Sequence, residues 1–244
     1  MDAIVINLDA DVARYGAVVA QFAGYEGFTV VRSRGVYGAT LPSLACGVLT
    51  RARNYKEQIG GGTLGVFLAH VAVWERIVES DADASLILED DVRVDNLALL
   101  AAAAIPSDAD IVFCNDIMQP FPQPPRDPVT MLFVDLDAGL RRLAHTGSRA
   151  VGMSGYILRK AGARKLLTLI ERDLFFGHVD WQVLRYCLSE TQVSRAVPDT
   201  DVARILRNRG PLRSEMRGYT IAPSVVFGLG LPSRRAVEDR LTAR

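Results

Sequence analysis

The chain reads as an α/β protein: a mixed sheet flanked by helices, with a small antiparallel part. Three observations predict this. A strand, a helix and a second strand follow one another from Ala3 to Arg32, which is the opening of a sheet with parallel strands. A long amphipathic helix then feeds a second buried strand, Ala84–Leu88. Two short runs later in the chain, Met131–Val134 and Ala150–Met153, have strand composition and form the smaller antiparallel part.

Each element follows from local chemistry. Ala3–Leu8 is apolar and β-rich, as in a buried strand. Asp9-Ala10-Asp11 supplies a turn and an N-cap, and Val12, Val18, Val19 and Phe22 recur at helical spacing up to Gly24. Thr29–Arg32 is the next strand. Ser33 to Gln58 is loop-like, with Gly35, Gly38 and Pro42. Gly60-Gly61-Gly62 breaks the chain, Thr63 caps the following helix, and Leu64, Phe67, Leu68, Val71, Trp74 and Val78 trace one apolar face to about Ser80. Asn96–Ala104 reads as helix and Asp110–Cys114 as strand. Pro120, Pro122, Pro124, Pro125 and Pro128 exclude a regular element from Met118 to Val129. Gly155-Tyr156-Ile157-Leu158 leads into a helix from about Lys160 to Arg172. Val179–Leu188 reads as helix and Val193–Val197 as a late strand. With no internal repeat and no low-complexity linker, residues 1–244 are expected to form a single domain, with an Arg-rich C-terminal segment from about residue 201.

Bulk composition bounds the function. The 244 residues are 49% hydrophobic and 23% charged, with a formal net charge of zero. Such a chain has no global attraction for nucleic acid or anionic membrane, and it carries no nucleic-acid motif. Its three cysteines, Cys46, Cys114 and Cys187, have neither disulfide-framework nor zinc spacing. The N-terminus has no signal-peptide pattern, and no apolar run reaches the ~20 residues of a membrane span. A cytoplasmic location is expected. From Asp201 to Arg244 there are nine arginines against four acids. That segment reads either as a solvated terminus or as a peripheral contact with the anionic inner face of a membrane.

The run Leu86-Ile87-Leu88-Glu89-Asp90-Asp91 carries the chemistry. Three acids end an apolar strand, with no lysine nearby and Arg93 the nearest basic residue in sequence. Packed carboxylates resist ionising together unless a cation shares the site. If the strand continues, Glu89 and Asp91 face one way and Asp90 the other. An acid-x-acid pair at the carboxyl end of a buried strand sits where open α/β sheets bind ligands. Hard oxygen ligands suit Mn²⁺ or Mg²⁺ bridging to phosphate. A solvated turn would carry the same residues.

Other constellations have two readings each. Gly60–Gly65 precedes a helix N-terminus, which favours anions, yet it lacks the Lys-Ser/Thr pair of a phosphate-binding P-loop. His70 lies near Phe67 and Trp74 on a helix face and reads more readily as a core histidine than as a ligand. Asp180 beside Trp181 suits carbohydrate chemistry, the ring stacking on a sugar and the carboxylate accepting a hydroxyl proton. It equally suits a helix cap beside a core tryptophan. No Gly-x-Ser-x-Gly elbow is present.

Five motifs in order resemble glycosyltransferase family 25, the lipopolysaccharide-biosynthesis and collagen-modifying sugar transferases. They are Val5-Ile6-Asn7-Leu8 with Arg14; Gly62-Thr63-Leu64-Gly65-Val66-Phe67-Leu68-Ala69-His70 with Trp74 and Ile77; Leu86 to Val92; Gly155-Tyr156-Ile157-Leu158 with Gly162 to Leu167; and Val179-Asp180-Trp181. Val66 and Ala69 stand where the family usually has Cys and Ser. The resemblance implies a GT-A-like, Rossmann-type nucleotide-binding sheet. It also implies an inverting transfer of galactose or glucose from a UDP-sugar to a glycan or glycolipid acceptor such as lipopolysaccharide. Glu89 and Asp91 would hold Mn²⁺ or Mg²⁺. Asn7, Leu8, Arg14, Glu89 and Asp90 would bind the donor, although strand alternation turns Asp90 toward the strand's other side. Asp180 would be the base on the acceptor hydroxyl and Trp181 would contact the acceptor. A nucleotide-sugar-binding protein without turnover, or a nucleotidyltransferase on a similar sheet, are the alternatives.

Overall fold

The computed structural model describes residues 1–42, 60–119, 130–147, 151–175, 177–208 and 212–231. A seven-stranded mixed sheet runs through these residues. Its strands in chain order are β1 (Asp2–Asn7), β2 (Thr29–Arg34), β3 (Ala84–Glu89), β5 (Ile111–Phe113), β6 (Leu132–Asp135), β7 (Gly155–Arg159) and β8 (Gly218–Ala222). Across the sheet they lie in the order β2-β1-β3-β7-β5-β8-β6. β1 pairs in parallel with both β2 and β3, and β5 in parallel with β8. β7 and β6 are antiparallel to their neighbours. A separate two-stranded antiparallel sheet joins β4 (Val92–Val94) to β9 (Val226–Gly228).

Strand alternation divides the apolar side chains between two cores, one on each sheet face. Ala3, Val5, Leu86, Leu88, Val112 and Ile157 pack with Val18 and Phe22, on and just after α1 (Val12–Gln21), and with Leu97 and Leu100 of α3 (Leu97–Ala102). Ile4, Ile87, Ile111, Phe113, Tyr156 and Leu158 face the other way. There they meet α2 (Gly61–Glu79), α4 (Leu136–Thr146), α5 (Lys160–Asp173), α6 (Val179–Tyr186), α7 (Glu190–Ala196) and α8 (Asp201–Asn208). The near-continuous apolar run of β3 follows from this, since the strand is covered on both faces.

The longest of the described helices, α2, buries Leu64, Phe67, His70, Val73, Trp74 and Ile77. Its first turn lies against the segment 35–38. A Cβ on Gly38 would stand 1.8 Å from the Gly61 carbonyl oxygen, and one on Gly65 2.5 Å from the Val36 carbonyl oxygen. Only hydrogen at those two positions lets backbone meet backbone.

Several expectations are corrected. Gly60 is the N-cap of α2, so Thr63 is a buried residue of the first turn and not the cap. Val193 and Ala196 belong to helix α7, not to a strand, because Ser189 and Gln192 form a capping box that starts a helix there. Val151–Met153 form no strand, and β6 joins the main sheet through β8; the small antiparallel sheet is β4–β9 instead. The stretch beyond residue 201 is no appended tail, since β8 lies inside the main sheet and β9 pairs beside the acid run. Its described arginines pair within the fold: Arg204 with Asp201, Arg207 with Glu190, Arg213 with Asp173 and Arg217 with Asp135. Arg209, Arg234, Arg235, Arg240 and Arg244 lie outside the described residues, as do Cys46 and the proline-rich stretch 120–129. Among the described residues no helix is long and apolar enough to cross a membrane.

Candidate active site

The sheet has a switch point between β1 and β3. From β1 the chain crosses through α1 to β2 on one side, and from β2 it returns through α2 to β3 on the other. The two crossovers diverge and leave a crevice beyond the carboxyl ends of β1 and β3, the place where such sheets bind ligands. A cleft of about 250 Å³ occupies it. Asn7, Leu8, Asp11 and Arg14 line one wall, Gly62, Gly65, Val66, Ala69 and His70 of α2 another, and Glu89, Asp90 and Asp91 the floor. All six donor and metal residues expected from the sequence, Asn7, Leu8, Arg14, Glu89, Asp90 and Asp91, therefore meet in one place.

Asn7 is the hub. It is buried, and its Nδ2 donates to Asp90 Oδ2 at 2.6 Å and to the Asp11 carbonyl at 2.9 Å. Its Oδ1 accepts from Arg32 Nε at 2.9 Å and Arg32 Nη2 at 2.7 Å. Arg14 Nη1 stands 3.7 Å from Asp90 Oδ1. Positive charge thus reaches Asp90 from Arg14 of α1, while Arg32 of β2 fixes the Asn7 amide that bonds it. Burial pushes the Asp90 carboxyl up from its ordinary value, against the pull of the Asn7 bond and Arg14.

Glu89 faces the α2 side of the sheet, as Ile87 does two residues earlier. Its N–H donates to the Ser154 carbonyl at 3.0 Å, which extends the β3–β7 ladder. Its Oε1 lies 3.7 Å from His70 Nε2. β3 ends at Glu89, so strand alternation does not fix Asp91. The residue just after β9 holds its backbone instead, Leu229 N–H donating to the Asp91 carbonyl at 2.9 Å. Burial first, and then the charges of Glu89 and Asp90, push the Asp91 carboxyl up to about 6. A cation beside the raised Asp90 and Asp91 carboxyls would favour their ionised forms. Among the described residues no three His, Cys, Asp or Glu side chains form a ready metal cage. The set fits Mg²⁺ or Mn²⁺, which are commonly held by one or two carboxylates with phosphate oxygens and water completing the shell.

His70 was missed as a site residue. Its ring has no exposed surface, as a core histidine would, but it borders the cleft. Nδ1 is 2.9 Å from the Tyr156 hydroxyl, which also accepts from Trp74 Nε1 at 2.9 Å. Its partner Tyr156 comes from β7, far along the chain, so helical spacing alone gave no sign of it.

Asp180 and Trp181 are placed differently from the rest. Asp180 Oδ2 accepts from the N–H groups of Val151 and Gly152 at 3.2 and 3.1 Å, and Oδ1 from the Trp181 N–H at 2.8 Å. It clamps the segment that ends at Ser154, beside Glu89, and it is not among the residues lining the cleft. Trp181 is 2% exposed and packs in the α2-side core. The expectation that it stacks on an acceptor sugar is corrected, because a ring enclosed on all sides presents no face to a ligand.

Among solved structures, one similar chain is a glycosyltransferase involved in glycosylation of the major capsid of PBCV-1. It is 8% identical, with coverage of 99% of this chain and 98% of that one and a TM-score of 0.42. A second is the galactosyltransferase LgtC, solved with donor and acceptor sugar analogues, at 16% identity, coverage of 98% and 91%, and a TM-score of 0.41. GlyE of Streptococcus pneumoniae TIGR4 is 8% identical, with coverage of 100% and 60% and a TM-score of 0.43. Likenesses this distant carry no weight for the chemistry. No curated protein matches the chain in sequence. The family match is of another order: the model of glycosyltransferase family 25 (LPS biosynthesis protein) spans residues 1–179, including the whole β1–β3 crevice and its acids, and the chain belongs to that family.

Proposed function

We propose that the chain is an inverting hexosyltransferase of GT-A type that takes galactose or glucose from a UDP-sugar to a cell-surface glycan or glycolipid, such as lipopolysaccharide. The observation that carries this reading is the convergence of Asn7, Arg14, Glu89, Asp90 and Asp91 at the β1–β3 switch point. Asn7, Leu8 and Arg14 line the nucleotide side, with Asp90 fixed between Asn7 and Arg14. Glu89 and Asp91 would hold Mn²⁺ or Mg²⁺. That ion would neutralise the donor diphosphate and the charge developing on the leaving UDP. Inversion requires a base opposite the leaving group, and Asp180 is assigned that role. It supports the Val151–Gly152 backbone, two residues before the Ser154 carbonyl that accepts from the Glu89 N–H. Partners are the donor and the acceptor, with no nucleic acid. A cytoplasmic location against the inner membrane, where such acceptors are assembled, fits this reading.

The test is transfer by the full chain from a panel of UDP-hexoses to lipooligosaccharide acceptors, with and without Mn²⁺, the product anomer being read by NMR. A new glycosidic bond of inverted configuration, lost in Asp180→Asn, is expected. The substituted amide keeps one acceptor oxygen for the clamp but has no basic carboxylate. Release of pyrophosphate from a nucleoside triphosphate, with no sugar transfer, would contradict the reading.

A further inference from the structure

The Trp74–Tyr156–His70 chain has a direction. Trp74 Nε1–H is a donor only, so the Tyr156 oxygen accepts from it. The Tyr156 hydroxyl carries one proton, which burial holds firmly on the oxygen. Among the described residues the one acceptor within its reach is His70 Nδ1, at 2.9 Å. Nδ1 therefore accepts, and the ring proton is on Nε2. That Nε2–H is buried and has no hydrogen-bond partner among the described residues. A buried donor left unpaired is costly, so such groups ordinarily have a partner in the working molecule. His70 borders the cleft, and its Nε2 lies 3.7 Å from Glu89 Oε1, just beyond hydrogen-bonding distance.

We propose that the Trp74–Tyr156–His70 relay presets the proton of His70 on Nε2 and aims it at Glu89, making His70 the positioning residue for that carboxylate. When the cleft is occupied, Nε2–H would close on Oε1, leaving Oε2 to the ligand. Ligating carboxylates elsewhere are held in this way by donors behind them. Motion of a few tenths of an ångström to about one ångström suffices. This inference rests on the reading of Glu89 as a ligand-binding carboxylate, and its test is arranged so that the two can fail separately.

The first readout needs no ligand. The chain contains three histidines, His70, His145 and His178, so ¹⁵N-histidine labelling of the full chain gives a simple spectrum that His70→Gln assigns. His70 is expected with a protonated Nε2 and an unprotonated, hydrogen-bonded Nδ1. Tyr156→Phe should shift Nδ1 and mix the tautomers, and Glu89→Gln should shift Nε2. A proton on Nδ1 in the wild type, or no response to either substitution, overturns the relay. The second readout is UDP binding in Mn²⁺ by calorimetry, in variants whose folding is checked by thermal unfolding. His70→Leu should weaken UDP by about tenfold, and His70→Gln, whose amide reaches the same point with an N–H, should restore most of it. Full affinity in folded His70→Leu overturns the positioning role. If the wild type itself ignores UDP and Mn²⁺, the nucleotide reading fails, while the histidine spectra still decide the relay.

Discussion

Asn7 and Asp90 are 83 residues apart in sequence and joined by a 2.6 Å hydrogen bond across the ends of β1 and β3. The bond holds one Asp90 oxygen while the other stands 3.7 Å from Arg14 Nη1. The other end of the same amide accepts from Arg32, which also pairs with Asp9. Asn7→Ala removes these bonds at once and leaves Asp90 and Arg32 short of partners. The expected loss is about 1–3 kcal/mol in denaturant unfolding. A change below about 0.5 kcal/mol would mean that water replaces the amide at no cost.

Asp91 gives the acid run a pH dependence of definite sign. Its carboxyl is raised in the fold from 3.8 to about 6, so the folded state favours the protonated form. That contribution is full below pH 3.8 and is lost as pH rises through 6. Asp91→Asn is therefore expected to raise the melting temperature at about pH 7.5 and to differ little from wild type near pH 4. Mn²⁺ should stabilise the wild type at about pH 7.5 and lose hold below about pH 6, because the cation needs the ionised carboxylate. Thermal unfolding across pH, with and without Mn²⁺, measures both.

Gly38 and Gly16 test the packing of the α2 wall. A Cβ at Gly38 meets the Gly61 carbonyl, whereas one at Gly16, on the exposed face of α1, meets nothing within 4 Å. Gly38→Ala should cost about 1–3 kcal/mol or more by overpacking. Gly16→Ala should gain about 0.5–1 kcal/mol from helix propensity. Paired chemical unfolding curves decide it; equal effects would contradict the close approach of segment 35–38 to the helix.

Trp181 separates a core role from acceptor binding. Trp181→Ala is expected to cost about 3–5 kcal/mol, the usual loss for a buried tryptophan. The milder Trp181→Phe should leave the acceptor KM essentially unchanged. A large KM rise in a Trp181→Phe chain of unchanged stability would return the ring to the acceptor site.

The amino-terminal half was legible because its signals are local. The apolar run of β1, the α2 face at Leu64, Phe67 and Trp74, and the apolar β3 before its acids each declare themselves within a short window. The carboxyl-terminal half was less so. The capping box Ser189-Glu190-Thr191-Gln192 announced α7, but the valines at 193 and 197 looked like a strand. Leu136, Leu140 and Leu143 traced α4 unnoticed, and β8 was hidden in an Arg-rich context. In the site, the acids were plain, but their partners were not. Asn7 reaches Asp90, and Tyr156 reaches His70, only across strands that folding brings together. Trp181 was misplaced because the same spacing serves a helix cap beside a core ring and a carboxylate beside a sugar platform.

If Glu89, Asp90 and Asp91 form a cation-assisted nucleotide site at the β1–β3 crevice, UDP binding should depend on both the cation and Asp91. Calorimetric titration of UDP into the wild type and into folded Asp91→Ala, each with and without Mn²⁺, tests it most directly. Wild-type binding should require Mn²⁺ and fall by about tenfold or more in Asp91→Ala. Equal, Mn²⁺-independent binding by both proteins would contradict it.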